Sequence, residues 1–254
     1  MPELPDVEVT RRRVETACLG REITGVEVGD EAVVSLTSRG ELEARLPGER
    51  FTAARRHGKF LFLELSGEGP RWLACHFGMT GSLVPLAAEE AETLPEHARV
   101  VFRFEDGGAL VFVCPRKFGY VEAVVSPEEL IEDRELGPDA LAVAAAELSG
   151  LLAGWSGSAK SLLVDQSKLA GIGNVYADEI LFQAGIHPRR PAKELSEEER
   201  AAVHQALRRV LETAIERGAE RDALPQDFLL PHRRPGAVPA PGRSPSLPSW
   251  RPGR

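Results

Sequence analysis

The chain has 254 residues, 43% of them hydrophobic and 28% charged, the balance of a folded globular protein. It carries 39 acidic against 31 basic residues, a formal charge of −8, so overall charge gives no general attraction for nucleic acid and any basic face must be local. No run of about eighteen apolar residues argues for a membrane span, and a start that is acidic from Glu3 does not read as a secretory leader.

From Leu4 to about Gly20 the residues read as a helix. Pro5 suits a first helical position, Asp6 and Glu8 suit the positive end of the helix dipole, and Gly20 suits a stop. From Arg21 to about Val125 the pattern has period two. Ile23, Val26 and Val28 begin it, Lys59 to Leu65 is a strong strand, and Trp72–Phe77, Val100–Phe104, Ala109–Val113 and Tyr120–Val125 follow. Asp106-Gly107 joins two of these strands as a tight hairpin. Many short strands with turn signals predict a β-sandwich.

Composition changes after Pro127. Pro138 to Leu152 and Lys160 to Leu169 read as helices. Gly171-Ile172-Gly173 breaks the pattern, and Asn174 is placed to cap a third helix to about Ala184. Ser196 with Glu199 has the spacing of a capping box, predicting a helix to about Arg217 stopped by Gly218. Beyond Asp227 the chain is rich in Pro, Gly, Ser and Arg, with no acid, and predicts an extended tail. The fold class expected is α+β. The three cysteines, Cys18, Cys75 and Cys114, are odd in number and far apart, with no C-x-x-C pair, which argues against a disulfide framework and a cysteine zinc site.

Chemistry concentrates at the start. Removal of Met1 would expose the secondary amine of Pro2. An α-amino group has a pKa near about 8, so a useful fraction is free base at neutral pH. Its attack on an aldehyde-like carbon gives an iminium with no N–H to lose, which stays cationic and favours elimination beside it. Glu3 could then pass a proton. On these two residues alone, an arbitrary second residue and a helix-start acid explain the pair as well. Likewise Lys59 could be an edge-strand lysine, Met79 a core residue, and Gly171/Gly173 an ordinary interhelical turn.

Longer matches decide between these readings. Pro2-Glu3-Leu4-Pro5-Asp6-Val7-Glu8 resembles the start of the formamidopyrimidine-DNA glycosylase/endonuclease VIII family. His76-Phe77-Gly78-Met79-Thr80-Gly81 is similar to its His-Leu-Gly-Met-Ser-Gly stretch. The segments Asp165-Gln166-Ser167 and Ala170 to Glu179 are similar to its helix–two-turn–helix signature. The resemblance extends to about residue 220. It implies an N-terminal helix and two-sheet β-sandwich (1–127) and an all-helical helix–two-turn–helix domain (128–226), while the region where the family has its finger (227–254) is expected here to be degenerate and metal-free.

The resemblance also implies a function. The family flips oxidised bases out of DNA, excises them and cleaves the strand. By motif, Pro2 would be the nucleophile at the sugar C1′, Glu3 its acid–base partner, and Lys59 a contact to the phosphate beside the lesion. Met79 would fill the gap left by the flipped base. Arg116 would pair with the orphaned base and Phe118 would wedge beside it. Lys160, Gly173, Asn174 and Tyr176 would hold phosphates, the last three where a helix N-terminus favours an anion. His97 and Arg243 are further candidates for DNA contact. The expected activity is a DNA glycosylase and abasic-site lyase acting on duplex DNA as a cytoplasmic, nucleoid-associated monomer, with no membrane, soluble cofactor or metal.

The chain departs from the family pattern at several places. Cys114 and Lys117 stand where the motif has Asp and Arg, so no carboxylate anchors that loop from position 114. No cysteine follows Cys114, so the usual four-cysteine zinc hairpin has no ligands, leaving a metal-free hairpin, a decayed finger or a changed reading frame. The Gly218–Phe228 stretch is short, which keeps open an endonuclease VIII-like preference for oxidised pyrimidines. A weakened or non-catalytic lesion-DNA binder is the other alternative.

Overall fold

A computed structural model describes residues 1–35, 38–67 and 71–232. The expected tail beyond His232, with Arg243, lies outside them. The described chain divides into two compact units, Met1–Glu135 and Leu136 onward. The division falls beyond the Pro127 expected from composition, because a helix that starts at Pro127 packs back on the last strand of the first unit.

In the first unit, α1 (Leu4–Cys18) carries Pro5 in its first turn, one position later than expected, and an Asp6 carboxylate that accepts from the Glu3 backbone N–H at 2.8 Å. It ends at Cys18, and two residues on Gly20, with a left-handed φ of +78°, turns the chain and donates its N–H to the Phe51 carbonyl. Then come β1 (Ile23–Val28), the short β2 (Val34–Ser35), α2 (Arg39–Arg45), β3 (Phe51–His57), β4 (Phe60–Leu65) and β5 (Trp72–His76). After these lie β6 (Ser82–Leu86), α3 (Ala88–Ala91), β7 (Ala98–Phe104), β8 (Ala109–Val113), β9 (Tyr120–Val124) and α4 (Pro127–Asp133).

These strands form a four-stranded sheet, β1-β7-β8-β6, and a five-stranded sheet, β2-β9-β5-β4-β3. One core joins their inner faces with α1. Val26, Phe102, Leu110 and Phe112 meet Leu61, Leu63, Leu73, Cys75 and Val121 there, with Val7, Val14 and Cys18 of the helix. Phe51 stands edge-on to Phe102 at 5.7 Å and to Phe104 at 6.3 Å. Each such ring pair adds about 0.5–1.5 kcal/mol to simple area burial. The Asp106-Gly107 turn joins β7 and β8 as expected, with Gly107 at φ +86°.

One expected site residue changes its place. Lys59 is not in the strand but in a two-residue turn with Gly58, between the paired residues His57 and Phe60. Gly58 has a φ of +55° and its carbonyl accepts from Arg56, so the hairpin reverses before the lysine can join the ladder.

In the second unit, α5 (Ala145–Gly154), α6 (Ala159–Val164), α7 (Asn174–Gln183) and α8 (Glu197–Glu216) pack together. The Ser196/Glu199 box starts α8 as expected, and Val203, Leu207, Val210, Leu211 and Ala214 form its buried stripe. Two expected helices are shorter. Asp139 accepts from the Leu141 N–H and holds a turn, so helix begins only at Ala145. Asp165 accepts from the Ser167 N–H and hydroxyl and ends α6 at Val164. Short polar side chains here satisfy backbone groups that a longer helix would otherwise satisfy. No described helix is long and apolar enough to cross a membrane.

Candidate functional site

The first cluster begins where α1 begins. Pro2 is half-buried, Met1 before it is exposed, and Glu3 is only 1% exposed. The Glu3 carboxylate lies close enough to Lys59 to favour its ammonium form. Burial outweighs this, and the lysine pKa is lowered from its ordinary value.

Lys59 in turn acts on His76, at the end of β5. The His76 ring lies 4.9 Å from Phe60 and 5.5 Å from Tyr120. Burial first, then the positive charges of Lys59 and Arg134, push its pKa down to about 4. The imidazole is therefore neutral at physiological pH, and its Nδ1 accepts from the Gly78 N–H at 3.3 Å. The motif contained His76 but gave it no role. The cross-strand register of β4, β5 and β9, which aligns it with Phe60 and Tyr120, was the available signal.

The His76 contact leads into the Met79 turn, closed by a Gly81 N–H donating to the Phe77 carbonyl at 2.8 Å. Met79 is 42% exposed and not in the core. Against this turn lies the loop after β8. Phe118 is 57% exposed, and the Arg116 guanidinium sits 5.1 Å from its ring centre. Cys114 is buried, and its thiol reaches only the Gly119 carbonyl, at 3.9 Å. The structure thus brings Met79, Arg116 and Phe118 onto two abutting loops. His97 joins the second of them through its backbone. His97 Nε2 stands 3.3 Å from Glu96, while its carbonyl accepts from the Cys114 N–H at 3.1 Å.

The second cluster belongs to the helical unit. Gln166 ties the turn between α6 and α7: its amide donates to the Val164 and Ile172 carbonyls, and its oxygen accepts from the Gly171 N–H. Gly171 has a φ of +115°, which favours glycine. The cap of α7 is Gly173, in extended conformation, and not Asn174 as expected. The Gln166 bond to Ile172 sets the chain one residue early, so Asn174 is already helical. Asn174 is exposed, whereas Tyr176 is buried at 5%. Lys160 pairs with Asp178 at 2.7 Å. Further along α7, buried Glu179 accepts from the Leu229 and Leu230 N–H groups at 3.0 and 2.9 Å. Burial raises its pKa against those bonds. Neither Asp178 nor Glu179 was singled out as a site residue from sequence, because their partners are set by tertiary packing.

The chain's three cysteines all precede the helical unit and are buried, so they do not fit a C-terminal zinc finger. Among the described residues no group of three or more His, Cys, Asp or Glu side chains could hold a metal ion.

Comparison with known proteins agrees with this geometry. The family model described as "Formamidopyrimidine-DNA glycosylase N-terminal domain" matches residues 1–121, and the one described as "Formamidopyrimidine-DNA glycosylase H2TH domain" matches residues 136–224. A formamidopyrimidine-DNA glycosylase from Moorella thermoacetica is 41% identical over 241 residues, covering 93% of this chain and 85% of that protein. One from Thermus thermophilus is 39% identical over 246 residues, covering 91% and 86%. Among solved structures, the Lactococcus lactis Fpg (MutM) in complex with DNA containing N7-benzyl-Fapy-dG is similar, with a TM-score of 0.78 and 26% identity. That match covers 92% of this chain and 85% of that one. The same protein with abasic-site DNA gives 0.77 and 28%, covering 86% and 80%. The chain therefore belongs to the formamidopyrimidine-DNA glycosylase family.

Proposed function

We propose that this glycosylase of base-excision repair works through the imino nitrogen of Pro2. Loss of Met1 frees the nitrogen, which attacks C1′ of the damaged nucleotide. The base departs with the glycosidic electron pair and the proline nitrogen gives up its proton; the C1′–O4′ bond then opens, O4′ takes a proton, and the nitrogen lone pair closes onto C1′ as an iminium. Proton loss from C2′ then expels the 3′ phosphate, and a second elimination expels the 5′ phosphate. The observation that carries this reading is Glu3. A carboxyl next to Pro2, buried and electrostatically linked to Lys59, is set to pass a proton to the opening sugar ring.

Around this centre Lys59 contacts the phosphate beside the lesion, and Met79 fills the space the base vacates. Arg116 reads the orphaned base while Phe118 wedges at its side. In the helical unit Lys160, Gly173, Asn174 and an edge of Tyr176 hold backbone phosphates. His97 is a further candidate for DNA contact, with its backbone carbonyl tied to the start of the Arg116 loop. The protein acts on damaged duplex DNA as a monomer in the cytoplasm, and its chemistry uses neither a soluble cofactor nor a metal.

The base preferred is a formamidopyrimidine or 8-oxoguanine. A second reading, oxidised pyrimidines, is favoured by the compact run from Gly218 to Phe228, where Arg221–Ala223 forms a single 3-10 turn and Leu224 is buried. Excision rates on duplexes carrying each lesion separate the two. Faster release of the oxidised purines supports the first, and faster release of oxidised pyrimidines overturns it. Duplex binding with no excision of any lesion would leave only a lesion-DNA binder.

A further inference from the structure

The loop carrying Arg116 and Phe118 has no carboxylate at its own start, where Cys114 stands. A carboxylate from elsewhere reaches it. Asp30, in the turn after β1, lies 2.5 Å from Lys117 Nζ through Oδ2 and 3.7 Å from Arg99 through the same oxygen. Its Oδ1 accepts from the Ala32 N–H at 3.1 Å, which fixes the side chain on its own turn. Arg99 also donates to the Cys114 carbonyl at 3.2 Å, and its own carbonyl accepts from the Gly29 N–H at 2.8 Å. The start of the loop, at Cys114, and its middle, at Lys117, are thus both tied to the Gly29–Asp30 corner.

The tie matters because of the backbone at the tied lysine. Lys117 has a φ of +54°, a conformation that costs a residue with a side chain about 1 kcal/mol or more unless its surroundings hold it. Its neighbours on either side, Arg116 and Phe118, are exposed, with the guanidinium set over the ring. The Lys117 ammonium and the Asp30 carboxylate pair at this strained residue. The Asp30 pKa is held below the ordinary carboxylate range, first by the Lys117 hydrogen bond.

We propose that Asp30 is a positioning residue for opposite-base recognition: through Lys117 and Arg99 it holds the loop that presents Arg116 and Phe118 to DNA. The proposal rests on the reading of Arg116 given above. It places a determinant of specificity on a turn that touches neither the nucleophile nor the orphaned base.

The test is the spread of single-turnover excision rates for one lesion placed opposite each of the four bases. Asp30→Asn keeps an oxygen for the Ala32 N–H but loses the charge. Lys117→Met breaks the same pair from the other side. Each is expected to compress the spread by about fivefold, the upper range for a partly exposed ion pair. Asp30→Glu is expected to keep it, and the rate of strand cleavage at a preformed abasic site is expected to stay at the parent value in all three. Arg116→Ala is the control. An unchanged spread in Asp30→Asn and Lys117→Met, with a compressed one in Arg116→Ala, overturns the clamp and leaves Arg116 as the reader. An unchanged spread in Arg116→Ala overturns the Arg116 reading, and the clamp with it.

Discussion

Gly78 and Phe118 meet backbone to backbone: a β-carbon at Gly78 would lie 2.4 Å from both the carbonyl carbon and the oxygen of Phe118. Gly78 also has a φ of +57°. The two loops bearing Met79 and Phe118 therefore interlock only because no side chain separates them. Gly78→Ala is expected to push them apart. Lesion excision should fall by about tenfold or more, with a stability loss of about 1–3 kcal/mol. Single-turnover excision and urea unfolding check this, and a rate equal to the parent's would contradict it.

The neutral His76 makes stability depend on pH. Its folded pKa of about 4 lies below the ordinary 6.5, so between these values the unfolded chain binds more protons. Its contribution is complete above the ordinary value and fades as pH falls through that window, by up to about 3 kcal/mol. Urea midpoints at neutral and at mildly acidic pH, for the parent and for His76→Gln, isolate this from other titrating groups. The parent is expected to lose more stability than the variant. Parallel losses would show that His76 is not held neutral by the fold.

Lys160 is paired with Asp178, so the phosphate contact proposed for it would compete with a carboxylate. Each phosphate neutralised adds about 0.9 to the slope of log affinity against log salt for duplex DNA. Lys160→Met is expected to lower that slope by about one contact, and Asp178→Asn to tighten undamaged-duplex binding several-fold. Titrations at several salt concentrations check both. A slope unchanged in Lys160→Met would remove it from the phosphate contacts.

Glu179 accepts from two backbone N–H groups, those of Leu229 and Leu230. Glu179→Ala strands both donors, at about 1–3 kcal/mol each. Hydrogen exchange at Leu229 and Leu230 is expected to accelerate together with a lowered unfolding midpoint. Unchanged protection at these amides would mean that other contacts secure the segment.

Much of this architecture is legible in the residues. The first helix, the Asp106-Gly107 hairpin and the Ser196/Glu199 cap rest on local signals that packing does not override. The strands β3 and β6 were not anticipated, and both lie at sheet edges. Thr52, Arg55 and Arg56 interrupt the apolar alternation of β3, and β6 contains Pro85, which an edge tolerates. The positions of Pro2, Glu3, Met79, Arg116 and Phe118 came from motif order. The neutrality of His76, the Asp30–Lys117 pair and the Asp178 partner of Lys160 did not. Each joins residues distant in sequence, or depends on how deeply a side chain is buried.

The nucleophile can be tested by chemistry at a single atom. Borohydride added to the Met1-processed protein with an abasic-site duplex should reduce the iminium and leave a stable covalent adduct. Peptide mapping should place it on Pro2, and Pro2→Gly should lose most of it. A processed protein that binds the duplex yet gives no adduct, or one whose adduct maps to Lys59, would contradict the account.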